Sequence, residues 1–234
     1  MVFAEYGKEN SGMTDAAPFS LSLIQLPLFQ GMGKSDLTAI LGHTKFGFRK
    51  TAEGKTVVKE HDTCTHLYFL QKGTLTAEAV ADDHGYRVVE TIEAPAVLQP
   101  EHLFGLHQHY THTFTAKTSC HFITLDKSEV MRLMTHSDIF RLNMLNIIST
   151  QSQKISRKEW HIPPHSLCER ITRFIRSHCM NPKGEKDVYI KMTRLAEELN
   201  DSRLDISHAL NEMQDRRLLI LYRGRIHIPL LEEL

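Results

Sequence analysis

The chain is poor in the features that would set it apart from ordinary globular proteins. It has four cysteines in 234 residues, Cys64, Cys120, Cys168 and Cys179, and none lies near enough to another to give the spacing of a zinc knuckle or an iron–sulfur cluster. Reduced, buried thiols are the expected state. No run of 18 apolar residues occurs, and the N-terminus lacks the basic start and long apolar run of a secretory signal. Neither a membrane span nor export is expected, and the chain reads as cytoplasmic. Net charge is missing too: 28 basic side chains balance 28 acidic ones. That excludes a global attraction to nucleic acid, so binding to DNA would depend on local placement of cations. No alternation of strand and helix appears either, which argues against a parallel nucleotide-binding sheet.

What is present is ordered in segments. The length favours two domains of ordinary size. Residues 1–20 carry Gly, Ser and Asp without periodicity and read as a loosely ordered leader. In LPLFQGMGKSDLTAILGHTK, Pro27 precedes a short apolar entry and Ser35-Asp36 can cap a helix ending near Leu41. Period two then takes over. Thr56–Val58, Leu67–Leu70, Thr74–Glu78, Tyr86–Ile92, Phe114–Ala116 and Cys120–Leu125 are short β-branched or aromatic runs, separated by turn signals such as Lys72-Gly73-Thr74 and Asp82-Asp83-His84-Gly85. Strands at this spacing predict an antiparallel barrel or roll. Ser128-Glu129 opens another helical region, and a long helix is predicted from Ser137 to about Trp160, with Leu145, Ile148, Ser152, Ile155 and Glu159 at three- and four-residue steps. Pro163-Pro164 ends it and marks the domain boundary. The next helix begins near His165, carries Leu167, Ile171, Phe174 and Ile175, and stops before Asn181-Pro182-Lys183-Gly184.

Thr193 to Ile228 spells two short helices, a tight turn and a β-ribbon. Leu195, Ala196 and Leu199 share one face, Asn200-Asp201 interrupts, and Ile206, Ala209, Leu210 and Met213 resume a second face after Ser202. Ser202 with Asp205 has the pattern of a capping box, which starts the second helix near Arg203. A ribbon from Leu218 to Ile228, turning at Arg223-Gly224-Arg225, follows at the spacing of a wing. The candidate DNA-contacting residues are therefore Ser202, Arg203, Asp205, Ser207 and His208 at the helix start, with Thr193, Arg223 and Arg225 beside them. Lys191, Arg194, Arg203, Arg216, Arg217, Arg223 and Arg225 predict one basic face rather than a basic domain.

A roll, a long helix and a winged helix-turn-helix in that order resemble the Crp/Fnr family of bacterial transcription regulators. The resemblance covers nearly the whole chain and is carried by LPLFQGMGKSDLTAIL, GKTVVKEHDTCTHLYFLQKGTL, AKTSCHFITLDKSEV and LAEELNDSRLDISHALNEM. It implies an α+β fold: an antiparallel double-stranded β-helix or jelly roll resembling a cyclic-nucleotide-binding sensor over residues 21–136, a dimerisation helix over 137–162, and a DNA-binding winged helix-turn-helix over 163–234. It further implies a homodimer joined along the Leu145, Ile148, Ser152 and Ile155 stripe, double-stranded DNA as partner, and RNA polymerase as a second partner if the protein is an activator, the family's more usual mode. The family's recognition helix often begins Ser-Arg-Glu and carries a later Arg. Here Leu204 and His208 stand at those places, so the family's usual half-site is not implied.

Family members that bind a cyclic nucleotide use a Gly-Glu pair on the ribose and an Arg-Ser pair on the phosphate. Gln99-Pro100 and Tyr110-Thr111 occupy the matching positions here, and no arginine lies between Arg87 and Arg132. Burying a phosphate without a cation is costly, so cyclic AMP and cyclic GMP are not expected. His61 sits where the family's roll prefers glycine, which predicts a rearranged turn. Gln99, Glu101, His102, Tyr110 and Thr111 are the candidate contacts for an unidentified small effector. His102, His107, His109 and His112 leave open a haem- or metal-binding gas or redox sensor, although no zinc-like ligand spacing completes a metal site. A cupin-like metal enzyme would need His107-Gln108-His109 with Glu129 and His136, and would leave the helix-turn-helix unexplained. No catalytic residue is proposed, and the chain is read as a regulator rather than an enzyme.

Overall fold

The computed structural model describes residues 16–157 and 164–234. Short strands of alternating burial build a roll: β1 (Gly47–Thr51), β2 (Thr56–Val58), β3 (His66–Lys72), β4 (Thr74–Val80), β5 (Tyr86–Glu93), β6 (Ala96–Val97), β7 (Thr113–Ala116) and β8 (Cys120–Asp126). One antiparallel layer runs β1-β8-β3-β6, and the facing layer contains β5-β4-β7-β2. Period two puts Leu67, Phe69, Leu75, Ala77, Phe114, Ile123 and Leu125 between the layers, where each is essentially out of water. The β3–β4 turn needs Gly73: its φ is +100°, and a Cβ there would lie 2.7 Å from the Ser119 carbonyl oxygen. Thus the six expected strands form, and β1 and β6 join them.

Helices close the open end of the roll. α1 (Ala16–Ile24) and α2 (Lys34–His43) precede it, and α3 (Lys127–His136) follows β8 directly, its first turn capped by the Asp126 carboxylate accepting from the Glu129 N–H. The leader expected over residues 1–20 is thus too long. Helix α1 starts at Ala16 because Leu23 and the following Leu26 bury themselves in the core, while residues 1–15 lie outside the described residues. Phe29 is the hub of this packing, with ring centroids 6.3 Å from Phe46, 5.5 Å from Phe69 and 5.3 Å from Phe140.

The long helix α4 (Asp138–Arg157) lays Phe140 and Met144 on the roll and leaves Leu142, Leu145 and Ile148 exposed, with Ser152 in line. The Ile155 side chain, Glu159 and Pro163 fall outside the described residues. Next come α5 (Leu167–Ser177), β9 (Lys186–Ile190), α6 (Met192–Leu199), α7 (Arg203–Asp215), β10 (Ile220–Tyr222) and β11 (Arg225–Ile228). This C-terminal unit has its own core, in which Ile171, Leu195, Ile206, Leu210, Met213 and Ile228 meet. Strand β9, which sequence periodicity did not reveal, pairs with β11 on one edge and with β5 of the roll on the other. One antiparallel sheet of seven strands, β10-β11-β9-β5-β4-β7-β2, therefore runs from the C-terminal hairpin through the roll.

Because Phe29 touches three rings drawn from separate elements, Phe29→Ala should leave a cavity that none of them can fill alone. A loss of about 3–5 kcal/mol in urea unfolding is expected, against less than about 1.5 kcal/mol for Phe29→Leu with its smaller volume change.

Candidate nucleic-acid interface and effector position

In the C-terminal unit, α6 ends at Asn200, whose φ of 49° is the left-handed cap that asparagine tolerates. Arg170 of α5 fixes the turn that follows, its guanidinium donating to the Leu199 carbonyl and pairing with Asp201 at 2.8 Å. Ser202 caps α7, its Oγ accepting from the Asp205 N–H at 3.1 Å. The reciprocal half of the expected capping box does not form. The Ser202 hydroxyl donates to the Asp205 carboxylate at 2.6 Å, and Asp201 accepts from the Ser202 N–H instead. Both carboxylates suit the positive helix terminus.

With Ile206, Ala209, Leu210 and Met213 buried, α7 turns Ser202, Arg203, Leu204, Asp205 and His208 to solvent, and Ser207 is half-buried between them. Thr193 and Arg223 are exposed nearby in the chain's α6 and hairpin turn. Three arginines of the expected basic face have acidic partners, Arg216 facing Glu212 at 3.9 Å. Arg194 pairs with Asp83 and Glu198, each at 2.6 Å, and Arg225 lies over the Tyr222 ring at 4.2 Å beside Asp187 at 3.7 Å. Arg203, Arg217 and Arg223 form no ion pair among the described residues.

The effector candidates only partly converge. Gln99 is buried, and its φ of 38° keeps the left-handed backbone that glycine would favour. Its amide nitrogen donates to Thr111 Oγ1 and to His112 Nδ1 at 3.0 Å, with Met180 Sδ 3.6 Å away, while its Oε1 accepts from the Thr111 N–H at 3.0 Å. Tyr110 points away, buried, with its hydroxyl donating to the His66 carbonyl at 2.9 Å and its acidity suppressed by burial. Glu101 and His102 lie on the short turn Pro100–His102. His61 also adopts a positive φ, 67°, so the turn expected to rearrange keeps glycine's conformation with a histidine in it.

Residues 103–112 form a loop rather than the strand that would have aligned His107 with His109, and both are exposed. Neither a haem pocket nor a cupin-type set is assembled there: Glu129 is buried in α3, accepting from the Lys45 N–H and pairing with Arg132, and His136 Nδ1 bonds the Arg132 carbonyl. Among the described residues the side chains that approach ligand-like spacing are Glu185, Asp187 and His227, whose carboxylates already face Lys117 at 3.5 Å and Arg225 at 3.7 Å. All four cysteines are free, with burial raising each thiol's pKa and taking Cys179 to about 12, as inert reduced thiols should behave.

The residues that sequence reasoning missed lie where β5 meets β9. Glu90 and Lys186 stand opposite each other across the ladder, 3.2 Å apart, with side-chain exposures of 1% and 0%. The Glu90 carboxylate also accepts the backbone N–H of Met180 and, at 2.9 Å, that of Asn181, while Lys186 donates to the Lys183 carbonyl at 2.7 Å. Tyr86 and His178 bond at 2.9 Å, and Arg194 reaches over Gly85 to Asp83. A signal was available: Glu90 is in phase with buried Val88, and Lys186 with Val188 and Ile190. Two in-phase charges of opposite sign at apolar positions ask for each other.

Burial lowers the His112 pKa from 6.5 to about 4, with His102 adding repulsion. The unfolded chain takes this proton near pH 6.5 and the folded chain only near 4, so stability should fall as pH drops through that window and be unaffected above it. Urea midpoints at pH 7 and 4.5 should differ more in the wild type than in His112→Asn; an identical difference would remove His112 as the cause.

Comparison with known proteins agrees with this geometry. Residues 48–137 match the family of cyclic nucleotide-binding domains. Among solved structures, the catabolite activator protein of Thermus thermophilus is similar over 86% of this chain and 93% of its own, with 14% identity and a TM-score of 0.50. The sensor domain of the transcriptional regulator DNR from Pseudomonas aeruginosa is similar over 66% of this chain and all of its own, with 14% identity and a TM-score of 0.52. No curated relative matches the chain at a significant level. No helix among the described residues is long and apolar enough to cross a membrane. Residues 48–137 thus resemble a cyclic nucleotide-binding domain, and the fold is similar to that of the catabolite activator protein and of the DNR sensor domain.

Proposed function

We propose that the chain is a sequence-specific, homodimeric DNA-binding transcription regulator whose winged helix-turn-helix is built from α6, α7 and the β10–β11 hairpin. The observation that carries this reading is the start of α7, where polar and basic side chains stand exposed on a helix fixed from behind by its core and by Arg170. Such an end suits the major groove, and the exposed Arg223 on the hairpin turn suits a phosphate contact of a wing. The exposed stripe of Leu142, Leu145 and Ile148 supports the dimer, because a helix packing against its twin would hide it and set two reading helices about one DNA turn apart. A zero net charge adds no long-range attraction, so affinity rests on these few contacts.

Roles divide by chemistry. Arg203 can bond guanine N7 and O6 in a bidentate pair; Ser202, Thr193 and Arg223 suit phosphate. Leu204, 67% exposed beside Arg203, offers no hydrogen bond, and the apolar feature of the major groove is the thymine methyl.

Arg203→Ala should cost about 1–3 kcal/mol on the preferred sequence and relax the choice of base at one position. Arg223→Ala should weaken binding alike on specific and random duplexes and reduce the salt slope by about 1. Equal losses on both duplexes for Arg203→Ala would overturn its assignment. Replacing the thymine nearest Leu204 by uracil should weaken wild-type binding by about 1 kcal/mol, the worth of a buried methyl group, and leave Leu204→Ala indifferent. Fluorescence anisotropy on a selected operator and its uracil version reads both.

A further inference from the structure

Where the effector was expected, the polar side chains of the roll already bond one another. Gln99, Thr111 and His112 satisfy one another, and the remaining contact of Gln99 is with Met180, which belongs to the segment between α5 and β9. Met180 is half-buried against the core of the roll rather than against the core of its own unit. One residue on, the backbone of Met180 and Asn181 is held by the Glu90 carboxylate, and β9 then runs along β5 for five paired residues from Tyr86–Ile190 to Glu90–Lys186. The β4–β5 turn contributes Asp83 to Arg194 on α6, past a glycine whose Cβ would lie 2.9 Å from the guanidinium.

These contacts form one continuous interface, and its partner is known: the C-terminal unit of the same chain. We infer that this unit is the resident ligand of the roll, and that its docking, rather than a small effector, fixes α7 for DNA. Two observations point toward a competent rather than a blocked arrangement. The docked face uses Met180, β9 and the start of α6, whereas Ser202, Arg203, Leu204, Asp205 and His208 remain exposed. Strand β9 is also paired with β11, so the hairpin that carries Arg223 is tied through one ladder to the roll. An effector that loosened or tightened the arrangement would have to displace a buried glutamine whose hydrogen bonds are already made. This inference rests on the DNA-binding reading above.

The test uses the full chain, unfolded in guanidinium, freed of small molecules and refolded. Refolded and directly purified protein should bind the selected operator within twofold of each other. Glu90→Gln should remove at least tenfold of the amide-exchange protection of β9 and at least tenfold of the operator affinity, while dimer mass and random-duplex affinity stay within twofold. The double variant Glu90→Leu/Lys186→Leu, which replaces the ion pair by apolar side chains, should restore both. If Glu90→Gln does not fold, Met180→Ala carries the same expectation with a smaller, severalfold loss of operator affinity. The inference is overturned if β9 protection falls while operator affinity is unchanged or rises. It is equally overturned if refolding abolishes operator binding and the small-molecule fraction released on unfolding restores it. Failure of wild-type protein to bind even random duplex at low salt would instead sink the DNA-binding reading itself.

Discussion

A carboxylate and an ammonium facing each other out of water, Glu90 and Lys186, are the constraint on which the relation between the two halves depends. Burying either charge alone is strongly unfavourable, so neither strand can keep its charge at an apolar position unless the other arrives. Satisfaction is nearly complete on both sides, since Glu90 takes two backbone N–H groups and Lys186 one carbonyl in addition to the ion pair. A pair of this kind adds little net stability compared with well-packed apolar residues. What it adds is register: sliding β9 by one residue along β5 would turn Lys186 to the opposite, less buried face and leave the Glu90 carboxylate buried without its cation.

The same economy of conformation appears in the roll. Gln99 and His61 both hold positive φ angles, a conformation that costs a non-glycine residue roughly 1–2 kcal/mol. At Gln99 this cost accompanies an amide that bonds Thr111 and His112 and lies against Met180. A glycine there would leave that space to a ligand.

Periodicity made the six main strands, the long helix and the two C-terminal helices legible, because each buries one face over several residues. Strand β6, two residues long, offers too little pattern, and in β1 Phe48 is exposed while Thr51 is buried, which breaks the alternation. Strand β9 was hidden for another reason: its sequence, KDVYI, mixes charges with apolar residues, and only the partner β5 explains why a lysine belongs inside. The candidate DNA-contacting residues were legible from a cap and a helix start. Arg194 and Arg225 were counted as basic surface because sequence cannot show that Asp83 and Asp187 lie within reach. Likewise the histidine-rich segment suggested convergence that a loop does not provide.

Helix α4 packs on the roll through Phe140 and Met144 and exposes its stripe on the other side, so a twin chain would attach to the roll's own frame. The C-terminal unit attaches to the same frame through β5. If the reading helix were tethered only by the connection after α4, its position relative to a twin would vary with that connection's torsions, and a two-fold operator would be met by few of the resulting arrangements. On the proposed reading, tying α7 to the roll through β11, β9 and β5 would shorten the path between two reading helices to stiff elements and lower the ordering cost of binding DNA. Specificity in a chain with no net charge needs such preorganisation more than most, since few phosphate contacts are available to compensate for a loosely held helix.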